Sequence, residues 1–248
     1  MHSRIGQPAN NISVYLLAGV ATAPNFMEEF REVLGERLTE AQWEVRHTEL
    51  LFPYGDWSRS LVQQLREIGR DVYPLISWRK SLLTAIGGRN ALAAIQATYP
   101  MDAEGGTLLL IGHSGGGNAA VHAGHALVHE GLVTPERLRI VQIGSPKCRV
   151  PEALRASTLY LAAHGDPVTL LGGWGGWERR SNGLLRWNPR KYAPGVIARI
   201  PIVGKHPDYF RRWSPYLDAQ GVPNLERTME KLWGWLHSGE PDEKGLTD

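Results

Sequence analysis

Apolar and polar positions along the chain fall into short blocks of two alternating kinds. "ISVYLLAGV" (12–20) is a near-continuous apolar run of strand length, and "PNFMEEFREVLGERLTEA" (24–41) repeats its apolar residues at helical spacing. "WEVRHTELL" (43–51) alternates as a strand. Helical patterns follow at 58–72 and 78–98, the second interrupted by Gly87 and Gly88. Further strands are expected before Gly112, at "LRIVQIG" (138–144), at "STLYLAA" (157–163) and at "VIARIPIVG" (196–204). A helix runs from Ser114 to about Glu130, and "NLERTMEKLWGWLHSG" (224–239) closes the chain as another. Strand and helix in alternation predict an α/β fold, a mostly parallel central sheet flanked by helices on both faces. The 248 residues show no repeat and no linker, so 1–248 is expected to be a single domain with a frayed tail, "EPDEKGLTD".

The stretch "LLLIGHSGGGNAA" (108–120) sets one hydroxyl among glycines at a strand-to-helix junction. No lysine follows as a phosphate loop requires, and the dinucleotide fingerprint is out of register. G-x-S-x-G does fit, with Gly112, Ser114 and Gly116 in place. In such an elbow the serine takes positive φ, a strain of roughly 1–3 kcal/mol for a non-glycine residue. Residues two before and two after it lie where strand and helix backbones converge, so they must be small. The alternative is an ordinary glycine-rich loop.

A serine hydroxyl needs a base to take its proton and an acid to orient that base. Ligands of parallel sheets gather at the carboxyl ends of the strands, so the partners should follow strands. Asp166 follows strand 157–163, and His206 follows strand 196–204. The order Ser114, Asp166, His206 suits this chemistry. His113 leaves the elbow in another direction, His164 would crowd the acid, and His237 lies late in the closing helix. Asp56 and Asp208 are alternatives to Asp166, which could also be a turn former before Pro167. The oxyanion needs two N–H donors, expected from Gly115 and from Val20 in the loop after the first strand, with Ala21 and the Thr22 hydroxyl as substitutes. His122, His125 and His129 share a helical stripe opposite Ala119, Ala120, Ala123 and Leu127; a solvent-facing stripe is expected there rather than a metal site. No metal or cofactor is implied.

With "GHSGG", the "IGSP" strand end, "GDPV" and "HPDYF", residues 107–210 resemble the lipase and esterase members of the α/β-hydrolase superfamily, class-3-type lipases included. The resemblance implies ester hydrolysis through Ser114, Asp166 and His206. Many such proteins carry His-Gly at the first oxyanion loop, where this chain has Ala18-Gly19; the backbone donor survives that change, but a subfamily assignment does not. A thioesterase or acyltransferase could use the same triad, and a non-catalytic binding protein could keep the fold.

Composition alters this picture in one region. The apolar share of 42% and the charged share of 21% are ordinary globular values. Residues 168–212, however, hold nine Lys and Arg against Glu178 and Asp208, a net of +7 in a chain of net +2. Trp174 and Trp177 stand beside Arg179 and Arg180 there, so 168–198 is expected to be a flap or lid near the active site. One reading is a cationic, aromatic substrate rim for anionic amphiphiles, with peripheral contact to an anionic membrane surface. The other is a solvated flap. No nucleic-acid motif accompanies the charge. Expected partners are therefore a small-molecule or lipid ester and no nucleic acid. With one cysteine, Cys148, no secretory leader pattern and no bilayer-length apolar run, the expected location is the cytoplasm.

Overall fold

The computed structural model describes residues 11–73, 83–99, 106–181 and 183–238. Six parallel strands form the central sheet: β1 (Asn11–Leu17), β2 (Glu44–Leu51), β3 (Thr107–His113), β4 (Leu138–Ile143), β5 (Thr158–Ala163) and β8 (Val196–Ile200), in the order β2-β1-β3-β4-β5-β8. Between β5 and β8 a separate antiparallel hairpin pairs β6 (Gly176–Arg179) with β7 (Leu185–Asn188). The helices are α1 (Glu28–Glu40), α2 (Leu61–Val72), α3 (Ile86–Thr98), α4 (Gly115–His129), the single turn α5 (Glu152–Arg155) and α6 (Asn224–Ser238).

Strand alternation divides the core in two. Ile12, Val14, Leu16, Leu109, Ile111, Val141 and Ile143 face α1 and α6, meeting Phe30, Leu34, Leu225 and Met229. Tyr15, Leu17, Leu108, Leu110 and Ile140 face the other way, onto Ala91, Ile95, Ala119, Ala120 and Ala123 of α3 and α4. Both faces are thus covered, which is why β3 reads as a continuous apolar run rather than an alternating one.

The expected elements form with shifted ends. The strand expected at 12–20 stops at Leu17 and the one at 196–204 stops at Ile200, while the carboxyl-terminal part of each run becomes a loop at the carboxyl edge of the sheet. Residues 83–84 are helical and Ala85 is not, so the interruption expected at Gly87 and Gly88 falls just before them, and both glycines lie in the first turn of α3. A Cβ on Gly87 would come within 2.3 Å of the Tyr54 ring, and one on Gly88 within 2.4 Å of His122 Cβ. The start of that expected helix, 78–82, lies outside the described residues. The histidine stripe needs a correction. α4 is covered by α3 as well as by the sheet, so His122 is buried and burial lowers its pKa to about 4, while only His129 of the three is exposed.

Helix α2 is turned inside out. Its buried residues are Gln64 and Asp71, whereas Leu61, Val62 and Leu65 are about half exposed. Directional bonds hold it in place. Asp71 accepts from Tyr54 Oη and from the Ile86 and Gly87 N–H groups, each at 2.9 Å, clamping α2 to the start of α3. An Asp71→Ala substitution orphans three donors that are buried or partly buried, each worth about 1–3 kcal/mol. We expect it to lower stability by roughly 2–4 kcal/mol, read as a drop in the urea midpoint; Asp71→Asn, which keeps one acceptor, should lose less.

Candidate active site

Four loops meet at the carboxyl edge of the sheet, following β1, β3, β5 and β8. At the end of β3, Ser114 adopts φ 55° and ψ −131°, and its N–H donates to Ile143 O at 2.9 Å. The elbow closes on missing side chains. A Cβ on Gly112 would lie 2.2 Å from the Gly116 carbonyl carbon, and one on Gly116 would lie 1.9 Å from Leu17 O. Gly19 in the loop after β1 packs on Ser114 itself, since a Cβ there would sit 2.8 Å from Ser114 Cβ. Ser114 Oγ has no hydrogen-bond partner among the described residues.

Asp166 and His206, placed by separate loops, meet: His206 Nδ1 donates to Asp166 Oδ2 at 2.9 Å. The Asp166 side chain is 1% exposed and that of His206 22%. Tyr209 Oη donates to the same carboxylate oxygen at 2.7 Å, and the Val168 N–H donates to Oδ1 at 2.9 Å. Burial pushes the Asp166 carboxyl up, but the bonds from His206, Tyr209 and Val168 outweigh it and hold the group below the usual carboxylate range. Tyr209 is itself fixed by the Ala163 N–H at 2.8 Å. His206 and Tyr209 reach one oxygen because residues 206–210 form a 3-10 turn, in which positions i and i+3 eclipse. Gly144 of "IGSP", at φ 58°, makes room for both: a Cβ would come within 2.7 Å of the Tyr209 ring and 3.1 Å of Asp166 Oδ2.

His113 also belongs to this group. Its ring stacks on His206 with centroids 4.9 Å apart and planes 24° apart, and its Nε2 donates to His206 O at 3.2 Å. Because His113 adjoins Ser114 in sequence, this stack brings the His206 loop against the elbow. Burial, with some help from the His206 charge, lowers its pKa to about 3, so its ring stays neutral.

In the loop after β1, Ala21 takes φ 49° and gives its N–H to Gln64 Oε1 at 2.9 Å. Ala21 is thereby occupied, as is the Thr22 hydroxyl, which donates to Val20 O at 3.2 Å. The N–H groups of Val20 and Gly115 have no partner among the described residues. Gln64 also donates to Asp56 O and Arg59 O, at 2.8 and 3.0 Å, so the side chain that ties this loop comes from inside-out α2. From the same helix, Ile68 lies where a Cβ on Gly115 would be 2.1 Å from its Cδ1.

The competing acids and bases have other engagements. Asp56 caps Ser58, Asp208 accepts from the Lys205 N–H at 2.8 Å, His164 is exposed, and His237 bonds Trp233 O within α6. Cys148 is buried, its thiol pushed up to about 12 by burial. Among the described residues no group of three or more His, Cys, Asp or Glu could hold a metal ion, and no helix is long and apolar enough to cross a membrane. The root of the hairpin is tied to Lys147, Arg149 and Val150: Trp174 meets Tyr160 edge-on at 5.0 Å, Arg149 Nε donates to Gly175 O, and the Val150 N–H donates to Tyr192 O. Trp174, Trp177, Arg179 and Arg180 make no hydrogen bond, ion pair or ring contact with Ser114, Asp166 or His206 among the described residues. Leu170 and Leu171, just after Asp166, are 71% and 49% exposed.

Sequence reasoning passed over Tyr209, Gln64 and Ile68, and weighed His113 only as a base. Tyr209 was legible as the i+3 position of "HPDYF"; nothing in the sequence marks Gln64, whose role depends on α2 being inverted.

No family model and no curated protein matches the chain. Solved structures do resemble it: a cutinase-like protein from Cryptococcus sp. (16% identity, 64% of this chain and 80% of that one, TM-score 0.42), YbtT, a type II thioesterase of the yersiniabactin pathway (16%, 84% and 89%, TM-score 0.40), and an acetyl xylan esterase (14%, 79% and 84%, TM-score 0.37).

Two predictions arise from this geometry. In Tyr209→Phe, Asp166 loses a hydrogen bond, and one to a charged group is worth about 1.5–3 kcal/mol. Turnover should fall roughly tenfold to a hundredfold with KM little changed, as steady-state kinetics would read it. The second concerns acid. His113 and His122 fold neutral, with values near 3 and 4, whereas an unfolded histidine binds its proton below about 6.5. The unfolded state therefore holds more protons in that window, and stability falls as pH drops from about 6.5 toward 4, by up to about 1.4 kcal/mol per pH unit for each histidine. His113→Phe should make the pH dependence of the urea midpoint shallower by about one proton.

Proposed function

We propose that the chain is a serine hydrolase of carboxylic esters, working through an acyl-enzyme on Ser114. The observation that carries this reading is the convergence at the elbow of an oriented acid–base pair. Asp166 holds His206 by Nδ1, and the residue next to Ser114 stacks on that same imidazole. Ser114 Oγ attacks the acyl carbon while His206 Nε2 takes the hydroxyl proton. Asp166 stabilises the imidazolium and stays ionised. The Val20 and Gly115 N–H groups receive the oxyanion, and Gln64 keeps Ala21 out of that task. Collapse expels the alcohol, protonated by His206; a water deprotonated by His206 then releases the acid.

The acyl portion is apolar in this reading. Ile68 borders Gly115, Leu61, Val62 and Leu65 continue outward along α2, and Leu170 and Leu171 lie beyond the acid. This favours the wall formed by α2 over Trp174, Trp177, Arg179 and Arg180 as the substrate rim. We further place the enzyme in the cytoplasm, which the buried free thiol of Cys148 supports.

A fluorophosphonate probe should label the wild type and not Ser114→Ala. That variant should keep the fold and lose turnover down to the residual catalysis of oxyanion hole and binding, about 10³–10⁴-fold over water. Failure to label the wild type would leave a non-catalytic protein of this fold. A panel of p-nitrophenyl esters and acyl thioesters of increasing chain length should favour the longer apolar esters; preference for thioesters would make the enzyme a thioesterase on the same triad.

A further inference from the structure

The β6–β7 hairpin has no part in the chemistry above, yet its two faces differ sharply. Its cross-strand pairs are Gly176↔Asn188, Trp177↔Trp187, Glu178↔Arg186 and Arg179↔Leu185. Side chains alternate across a strand, so Trp177, Trp187, Arg179 and Leu185 share one face, and Glu178 and Arg186 share the other. The first face is open to solvent, with Trp177 61%, Trp187 48% and Leu185 67% exposed and Arg179 exposed as well. Glu178 is the one anion within 172–195, and it is engaged on the far face by Arg186 at 3.7 Å and by Asn188 Nδ2 at 2.9 Å. The Trp face is thus aromatic, aliphatic and cationic without a carboxylate. Arg180 stands at the turn, its N–H donating to Leu184 O, and at the base Lys191 Nζ donates to the Trp177 carbonyl.

A solvated hairpin would turn polar residues outward, and a two-stranded sheet left alone is marginal in water. This one instead exposes its two largest apolar side chains together, while its root is fixed to Arg149 and Val150. Indoles favour the headgroup level of a bilayer, and Lys or Arg beside them is drawn to anionic lipid. The indoles also pack edge to face, centroids 5.5 Å apart and planes at 75°, so they are not arranged as a platform for stacked bases.

We propose that this face docks the protein on an anionic phospholipid bilayer, with Trp177, Trp187 and Leu185 at the headgroup boundary and Arg179 and Arg180 on lipid phosphates. The proposal does not depend on ester hydrolysis, so it is tested on the full chain carrying Ser114→Ala. That protein should co-sediment with mixed phosphatidylcholine–phosphatidylglycerol vesicles and not with phosphatidylcholine alone, and its tryptophan emission should shift to the blue. Binding should weaken as salt rises beyond 0.15 M, where screening reaches about 8 Å. Arg179→Gln with Arg180→Gln should lower vesicle affinity roughly tenfold or more, given about 1 kcal/mol per cation near the surface. Leu185→Ser, which leaves the indole pair in place, should weaken it several-fold with an unchanged melting temperature. Absence of binding to the mixed vesicles, equal binding to neutral ones, or wild-type affinity in the double Gln variant overturns the proposal. Tighter binding to single-stranded RNA, lost in the same variants, would overturn it in favour of a nucleic-acid surface.

Discussion

The structure depends on one backbone-to-backbone approach, the helix start at Gly116 lying against the carbonyl of Leu17. A Cβ at Gly116 would sit 1.9 Å from that oxygen, so any side chain would push α4 off the sheet. The position of Ser114 is a consequence. Strand β3 and helix α4 can meet at so sharp an angle only where both surfaces are bare, and the serine at the apex carries the strain as positive φ. Gly19 extends the same constraint to the neighbouring loop, which brings Val20, whose N–H has no partner among the described residues, close to Ser114. Nothing here is held by a large contact area; it is held by the absence of atoms.

Around that apex, polarity is concentrated on a single carboxylate. Asp166 gathers donors from its own turn and from two positions of one 3-10 turn, and this network defines where His206 points. A buried anion is costly without partners, and three directed hydrogen bonds offset that cost. The buried neutral His113 then braces the imidazole from the other side.

Much of this was legible in the sequence because it rests on local rules. The apolar run before Gly112 and the spacing of Gly112, Ser114 and Gly116 specify the elbow, and the expectation that catalytic groups follow strand ends picks Asp166 and His206. What was not legible depends on tertiary placement. His122 reads as a solvent residue on a helical wheel, and only the packing of α3 across α4 buries it. The hairpin at 176–188 was hidden because four-residue strands carry too little pattern to separate from a loop. The helical pattern at 58–72 does not say which face docks, and hydrogen bonds made in the tertiary structure bury Gln64 and Asp71.

That inversion has a thermodynamic consequence. An ordinary surface helix is glued by apolar area, so detaching it exposes that area to water and raises the heat capacity. Helix α2 already shows water Leu61, Val62 and Leu65, and what it would release on opening is the hydrogen bonds of Gln64 and Asp71 together with the packing of the partly buried Ile68. Its opening is therefore an enthalpic event with a small heat-capacity change. The wall of the candidate site nearest Gly115 answers to temperature differently from the core beneath it, loosening on warming while the sheet keeps its hydrophobic cohesion.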